Sequence, residues 1–211
     1  MVLNRPPWSS GGPDPHLLTV GHGTTSRREF AALLKGARIK LIVDVRSAPG
    51  SRRHPQFGRL ELEEWIPSEG IRYRWEPDLG GFRRPAADSR NVALRHPSFR
   101  GYADYMASDQ FRPALQRVLA DAAQHRVAIM CAETLWYRCH RRLIADAAAV
   151  LCGATVLHLG HDGQLSPHRL TEGFRCVQGD ALVYDAGSPL HQTVLTSGPH
   201  PAPSPEGSRL G

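Results

Sequence analysis

The feature that most constrains this chain is an alternation. Short apolar runs with the composition of buried strands recur, each separated from the next by a stretch with helical spacing. "LLTVG" (17–21), "IKLIVDV" (39–45), "IRYRWE" (71–76), "RVAIMCAE" (126–133) and "ATVLHL" (154–159) read as five strands. "SRREFAALLKGA" (26–37), "RLELEEWIPSEG" (59–70), "FRGYADYMA" (99–107), "QFRPALQRVLADAAQ" (110–124) and "RCHRRLIADAAAVLC" (138–152) read as helices. Ser26 is expected to cap the first helix, with Glu29 completing a capping box, and Pro67 is expected to end the second. Strands joined through helices return to one sheet as parallel neighbours. The expected fold class is α/β: a single three-layer domain with a mostly parallel, Rossmann-like sheet and a C-terminal hairpin. The hairpin is expected in "FRCVQGDALVY" (174–184), around Gln178-Gly179-Asp180.

The flanks differ in composition. Residues 1–15 and 187–211 are rich in Pro, Gly and Ser and lack periodic apolar positions. The expected organisation is a flexible tail over 1–15, the α/β domain over 16–170, the hairpin over 171–186 and a disordered tail over 187–211.

The chain carries a formal charge of +6, and only Lys35 and Lys40 are lysines, so 24 of its 26 basic residues are arginines. Guanidinium groups grip phosphates and carboxylates bidentately, which favours an anionic small molecule or nucleic acid as partner; an arginine-biased genome would leave the same count. No apolar run approaches the ~20 residues of a membrane span, so no membrane partner is expected. The N-terminal residues lack the apolar core of a signal peptide. Cys131, Cys139, Cys152 and Cys176 form no C-x-x-C pair. They read as reduced thiols, which points to the cytoplasm.

Parallel sheets bind ligands beyond the carboxyl ends of their strands. Three strands here deliver polar groups to that edge. After the first comes "GHGTT" with His22; after the second come Asp44, Arg46 and the loop holding Ser51; after the fourth come Cys131 and Glu133, then Cys139-His140-Arg141. Asp44 and Glu133 follow apolar strands, where a carboxylate is costly unless paired, and Arg46 and Arg141 are the expected partners. They are either structural ion pairs or an acid/base pair beside an anion clamp. Cys139 and His140 open a helix, where the dipole favours a thiolate; otherwise Cys139 is a small buried hydrophobe and His140 a hydrogen-bonded residue behind the site. The candidates for catalysis are therefore Asp44, Glu133, Cys139 and His140, with His22, Arg46, Ser51 and Arg141 as candidates for holding substrate or phosphate. Arg52, Arg53, His54, Arg83 and Arg84 lie on loops that could border the same edge. Cys131 continues the run Val127–Met130 and is expected to point into packing.

Cys131 and Arg138 resemble the ends of an anion-binding loop, but "AETLWY" between them has no glycine to supply the dihedrals such a loop needs. Cys131, Glu133, Cys139, His140, His22 and Asp44 could ligate a metal only by converging from separate elements, since no pair has zinc-finger or H-E-x-x-H spacing. No metal set is assigned from sequence, and the residues identify no particular cofactor.

The motifs "TVGHGT", "LIVDVRSAPGSRRHPQF", "LGGFR", "YADYM", "IMCAE" and "CHRRLIA" together resemble the DUF488 family, over roughly residues 17–165. The resemblance implies this fold and a shared site but no established reaction. In most members of the family, the stretch between Cys-Ala-Glu and Cys-His-Arg is shorter and often contains Asp-Pro. Here it is "TLWYR", with two aromatics that would reshape substrate contacts. The leading functional expectation is an enzyme acting on a phosphate-bearing substrate, a nucleotide or a nucleic-acid base. The alternative is a non-catalytic module that binds such a ligand in the same cleft.

Overall fold

The computed structural model describes residues 16–50, 53–177 and 181–185. Gln178-Gly179-Asp180, Ser51 and both expected tails lie outside the described residues. The chain runs β1 (His16–Gly21), α1 (Arg27–Gly36), β2 (Leu41–Asp44), α2 (Arg59–Ser68), β3 (Arg72–Trp75), α3 (Pro97–Tyr105), α4 (Phe111–Ala122), β4 (Val127–Cys131), α5 (Arg141–Cys152) and β5 (Thr155–Leu159). Three short antiparallel strands follow: β6 (Leu165–Pro167), β7 (Phe174–Val177) and β8 (Ala181–Tyr184).

Local chemistry sets the helix ends. The capping box at α1 forms: Ser26 Oγ accepts from the Glu29 amide, and the Glu29 carboxylate accepts from the Ser26 amide. The second helix runs one residue past Pro67, because that proline falls in the last turn and the Glu69 amide closes the helix onto the Ile66 carbonyl. The last helix begins later than its spacing predicts. A 3-10 turn at Trp136–Arg138 precedes it, and His140 stands at its N-cap.

The main sheet has the order β3-β2-β4-β1-β5-β6, with β3 to β5 in parallel register and β6 antiparallel at the edge. It differs from the dinucleotide-binding order 3-2-1-4-5-6 by exchanging β1 and β4. β6 has no signal in the sequence, since three exposed residues ending in proline carry no alternation to read. β7 and β8 pair as the expected C-terminal hairpin.

Alternate residues of each strand feed two cores, as a period of two requires. Leu18, Val20, Ile42, Ala128 and Met130 pack with Phe30 and Leu34 of α1 and with Leu62, Trp65 and Ile66 of α2. Leu17, Leu41, Val43, Val127 and Ile129 pack on the other face with Tyr102 of α3, Phe111, Leu115 and Val118 of α4, and Leu143 and Ile144 of α5. Leu182 and Tyr184 of the hairpin belong to this second core. Among the described residues no helix is long and apolar enough to cross a membrane.

The layering positions the site. The chain leaves β1 and β2 toward the α1–α2 layer and leaves β4 toward the layer holding α5. The carboxyl end of β4, flanked by those of β1 and β2, is therefore where successive connections part to opposite faces, and there the sheet opens a crevice.

Candidate functional site

That crevice is a cleft of about 1110 Å³. Its floor is stitched together by backbone bonds that continue the sheet: His22 and Gly23 donate to the carbonyls of Cys131 and Ala132, and Val45 donates to that of Met130. Gly21 is obligatory here, because a Cβ would stand 1.9 Å from the Glu133 carbonyl oxygen.

Asp44 is fully buried beneath this floor. Its carboxylate accepts from the Arg46 amide (3.1 Å), Arg46 Nε (2.8 Å), Arg46 Nη2 (2.5 Å) and the Tyr73 hydroxyl (2.8 Å). Arg46 also donates to the Phe57 carbonyl at 2.9 Å and approaches His22 Nε2 at 3.2 Å. Asp44 thus fixes Arg46, and Arg46, which lines the cleft, fixes two of its walls.

His22 lines the cleft with its ring stacked on Phe57 at 4.1 Å, and its Nδ1 donates to the Gly23 carbonyl. Burial and the Arg46 charge lower its pKa from 6.5 to about 4. His158, behind the site, is lowered to about 3 by burial and by the neighbouring His168. Both rings are neutral when folded, and the unfolded chain takes up protons on them near pH 6.5. Stability present above that pH is therefore lost as pH falls through the folded values. From pH 6.5 to 5 these two histidines should each cost about 1 kcal/mol per pH unit on average, the slope steepening toward about 1.4 as the unfolded rings become fully protonated, measured by urea unfolding. A flat profile over that window would contradict the burial of both rings.

Arg141 is not at the surface of the cleft. It is buried, donates through Nη2 to the Glu133 carbonyl, and holds Thr134 O at 3.5 Å, Thr19 Oγ1 at 3.5 Å and Cys139 Sγ at 3.4 Å. The expected pairing of Arg141 with the Glu133 carboxylate is replaced by one with its main chain. The Glu133 side chain is exposed on the cleft wall. The two arginines expected as an anion clamp are thus committed largely to the protein, for the physical reason anticipated for the carboxylates: a buried charge must find partners locally.

At the centre stand Cys131, Cys139 and His140, all lining the cleft. Cys131 is buried, as its place in the apolar run predicts, yet its sulfur also faces the other two. His140 Nδ1 lies 3.6 Å from Cys139 Sγ and 3.9 Å from Cys131 Sγ, while its Nε2 meets the Val45 carbonyl at 2.8 Å. Burial alone would raise the Cys139 thiol; contact with Cys131, His140 and the Arg141 guanidinium outweighs it and holds this thiol well below the ordinary range. Cys131 is pushed the opposite way by its hydrogen bond to Cys139 and by burial.

A family model described as a domain of unknown function, DUF488, matches residues 26–148. The chain belongs to the DUF488 family. Comparison with curated proteins and with solved structures returned no match. The matched stretch of the DUF488 domain ends inside α5, so it includes Cys131, Cys139 and His140 as well as Asp44 and Arg46.

At the mouth of the DUF488 cleft, sequence reasoning did not single out Phe82. Phe82 lies there 92 % exposed with a backbone φ of +58°, a left-handed conformation rare for an aromatic residue. Tyr137, also exposed, and Arg138 face the same opening. Of the loop residues flagged as bordering the edge, Arg53 and His54 do so, whereas Arg83 lies over the Tyr105 ring at 3.7 Å. The signal for Phe82 is its position after Gly80-Gly81: Ser47 Oγ donates to the Gly81 carbonyl, and a Cβ at Gly81 would stand 3.0 Å from His140 Nδ1.

Proposed function

We propose that this protein is an enzyme acting on a nucleotide or nucleic-acid base bound in this cleft. The observation that carries the reading is the cleft's division of labour. Its mouth offers two exposed aromatic faces, Phe82 and Tyr137, beside the guanidinium groups of Arg53 and Arg138, and its floor holds two thiols and an imidazole. Bases of any sequence stack on aromatic rings, phosphates pair with arginine, and the reacting atoms would then lie over Cys139. Holding a residue as large as Phe82 in a left-handed backbone costs on the order of 1–3 kcal/mol, which a ligand-binding role explains and packing does not. Four free thiols suit a reducing compartment, so a cytoplasmic location goes with this reading.

The test is a calorimetric panel of nucleosides, mononucleotides and short single-stranded oligonucleotides, with turnover followed by mass spectrometry. Phe82→Ala should weaken binding by about 1–3 kcal/mol, the worth of one stacked base, with the melting temperature unchanged. Arg53→Ala should weaken only the phosphate-bearing members. Cys139→Ser should bind and not turn over. Binding without turnover in the natural sequence would make the protein a non-catalytic module, and no binding across the panel would remove the reading.

A further inference from the structure

We propose that Cys131, Cys139 and His140 form a three-ligand site for a divalent ion of the zinc class, with its fourth coordination position open to the cleft. This goes beyond the function proposed above: it concerns the floor of the cleft and stands whatever its mouth binds.

The geometry is that of a tetrahedral face. The three ligand atoms lie within 4.8 Å of one another, and the imidazole nitrogen is 3.6 Å and 3.9 Å from the two sulfurs. A tetrahedral zinc with ordinary bond lengths has nitrogen–sulfur edges of about 3.6 Å and a sulfur–sulfur edge of about 3.8 Å. The three side chains thus stand close to the separations that a shared tetrahedral ion requires.

The imidazole is presented the right way round. Its Nε2 is committed to the Val45 carbonyl, which accepts and cannot donate, so Nε2 carries the proton and Nδ1 is left for another proton or a metal. A backbone carbonyl behind the far nitrogen is the usual means of orienting a metal-binding histidine. Arg141 Nε beside Cys139 Sγ plays the same part for a thiolate.

Space and access also agree. Gly81 packs against His140, and a Cβ there would come 3.0 Å from Nδ1, so glycine keeps the approach to this nitrogen clear. Among the described residues the cluster has three members, and all three line the cleft. A structural zinc site closes with four protein ligands, whereas a catalytic one keeps three and leaves a position for water or substrate. Two thiolates balance the charge of a divalent ion, and the protons of any thiol groups leave to solvent as it binds.

The ligands are also held by rigid elements. Cys131 ends β4, and Cys139 and His140 lead into α5, with Arg141 tying the loop between them to both. This explains how residues without metal-site spacing converge: a strand and the helix that follows it bring them together across the turn.

The experiment uses the full chain, stripped with chelator, kept reduced and titrated with Co²⁺. The expected result is one ion per chain, intense visible bands of tetrahedral cobalt and a near-ultraviolet thiolate charge-transfer band, all lost when one equivalent of Zn²⁺ displaces it. Cys139→Ser should weaken the charge-transfer band, and His140→Ala should lower affinity by at least ~10-fold, the least that loss of even a supporting residue costs. Cys176→Ser, at an exposed thiol distant in sequence, should leave the spectrum unchanged. Should a variant fail to fold, the natural sequence still decides: absence of the bands in reduced protein overturns the site, as does a cobalt spectrum that follows Cys176 instead of Cys139.

Discussion

Asp44→Asn should destabilise the protein by about 3–5 kcal/mol, the usual result of leaving one partner of a buried ion pair alone. Asparagine matches aspartate in shape, so no cavity opens. Its amide, however, is neutral and presents an N–H₂ where the carboxylate accepted from Arg46 and Tyr73. The Arg46 guanidinium, 7 % exposed, would remain charged without its counter-ion. In a chain of this size a loss of that order lowers the melting temperature by about 6–20 °C. The fall should not be confined to the mutated side chain, because Arg46 also holds the Phe57 carbonyl and abuts His22. A second substitution separates charge from packing: Arg46→Met in the Asp44→Asn background should recover part of the stability, since it removes the orphaned cation. A melting curve for Asp44→Asn within about 1 kcal/mol of the parent would show that the pair is worth no more than a surface salt bridge.

The second large effect is expected at Asp146, a buried residue of α5 that sequence reasoning passed over as part of an ordinary apolar helix. Its carboxylate accepts from His168 Nε2 at 2.8 Å, the Thr171 amide at 3.0 Å and the Tyr184 hydroxyl at 2.9 Å. Asp146→Ala strands three buried donors, each costing about 1–3 kcal/mol when unsatisfied. The loss should therefore reach several kcal/mol, and it should be regional. Amide hydrogen exchange should accelerate first in β6 and the β7–β8 hairpin, which Asp146 ties to the domain, and later in β1 and β4. Tyr184→Phe removes one of the three bonds and should cost about 1 kcal/mol. If Asp146→Ala costs no more than Tyr184→Phe, the carboxylate is not what anchors the hairpin.

The two residues show what a sequence can and cannot disclose. Asp44 could be flagged because it ends a run of β-branched residues, where a charge has no ordinary place. Asp146 could not, because one aspartate among alanines in a helix is also what a solvated position looks like, and only the arrival of His168, Thr171 and Tyr184 makes it buried. The layers and the five parallel strands were legible because period two and period 3.6 are local properties. The exchange of β1 and β4 in the sheet was not, because strand order depends on which faces meet across the whole chain. The candidate site was legible as an edge: His22, Arg46, Glu133, Cys139 and His140 were all expected at that edge and all line the cleft. What each side chain does was less so. Arg141 turned inward onto backbone carbonyls, and Cys131 sits close to Cys139 and His140, because contacts across a turn leave no trace in spacing.

The place of β1 in the sheet has a consequence for how the chain reaches its native state. Leu17 pairs with Val127 on one side and with Val156 on the other, and among the described strands β1 pairs with none made earlier than β4. At synthesis rates of about 5–20 residues per second, the first strand therefore waits roughly 5–20 s for its earliest neighbour. Throughout that interval its apolar side chains and both hydrogen-bonding edges have no partner in the sheet. Such non-local pairing slows folding even in the finished chain. A nascent chain arrested before Val127 should accordingly be protease-sensitive at β1 and prone to aggregate, and one extended past Leu159 should be resistant to both.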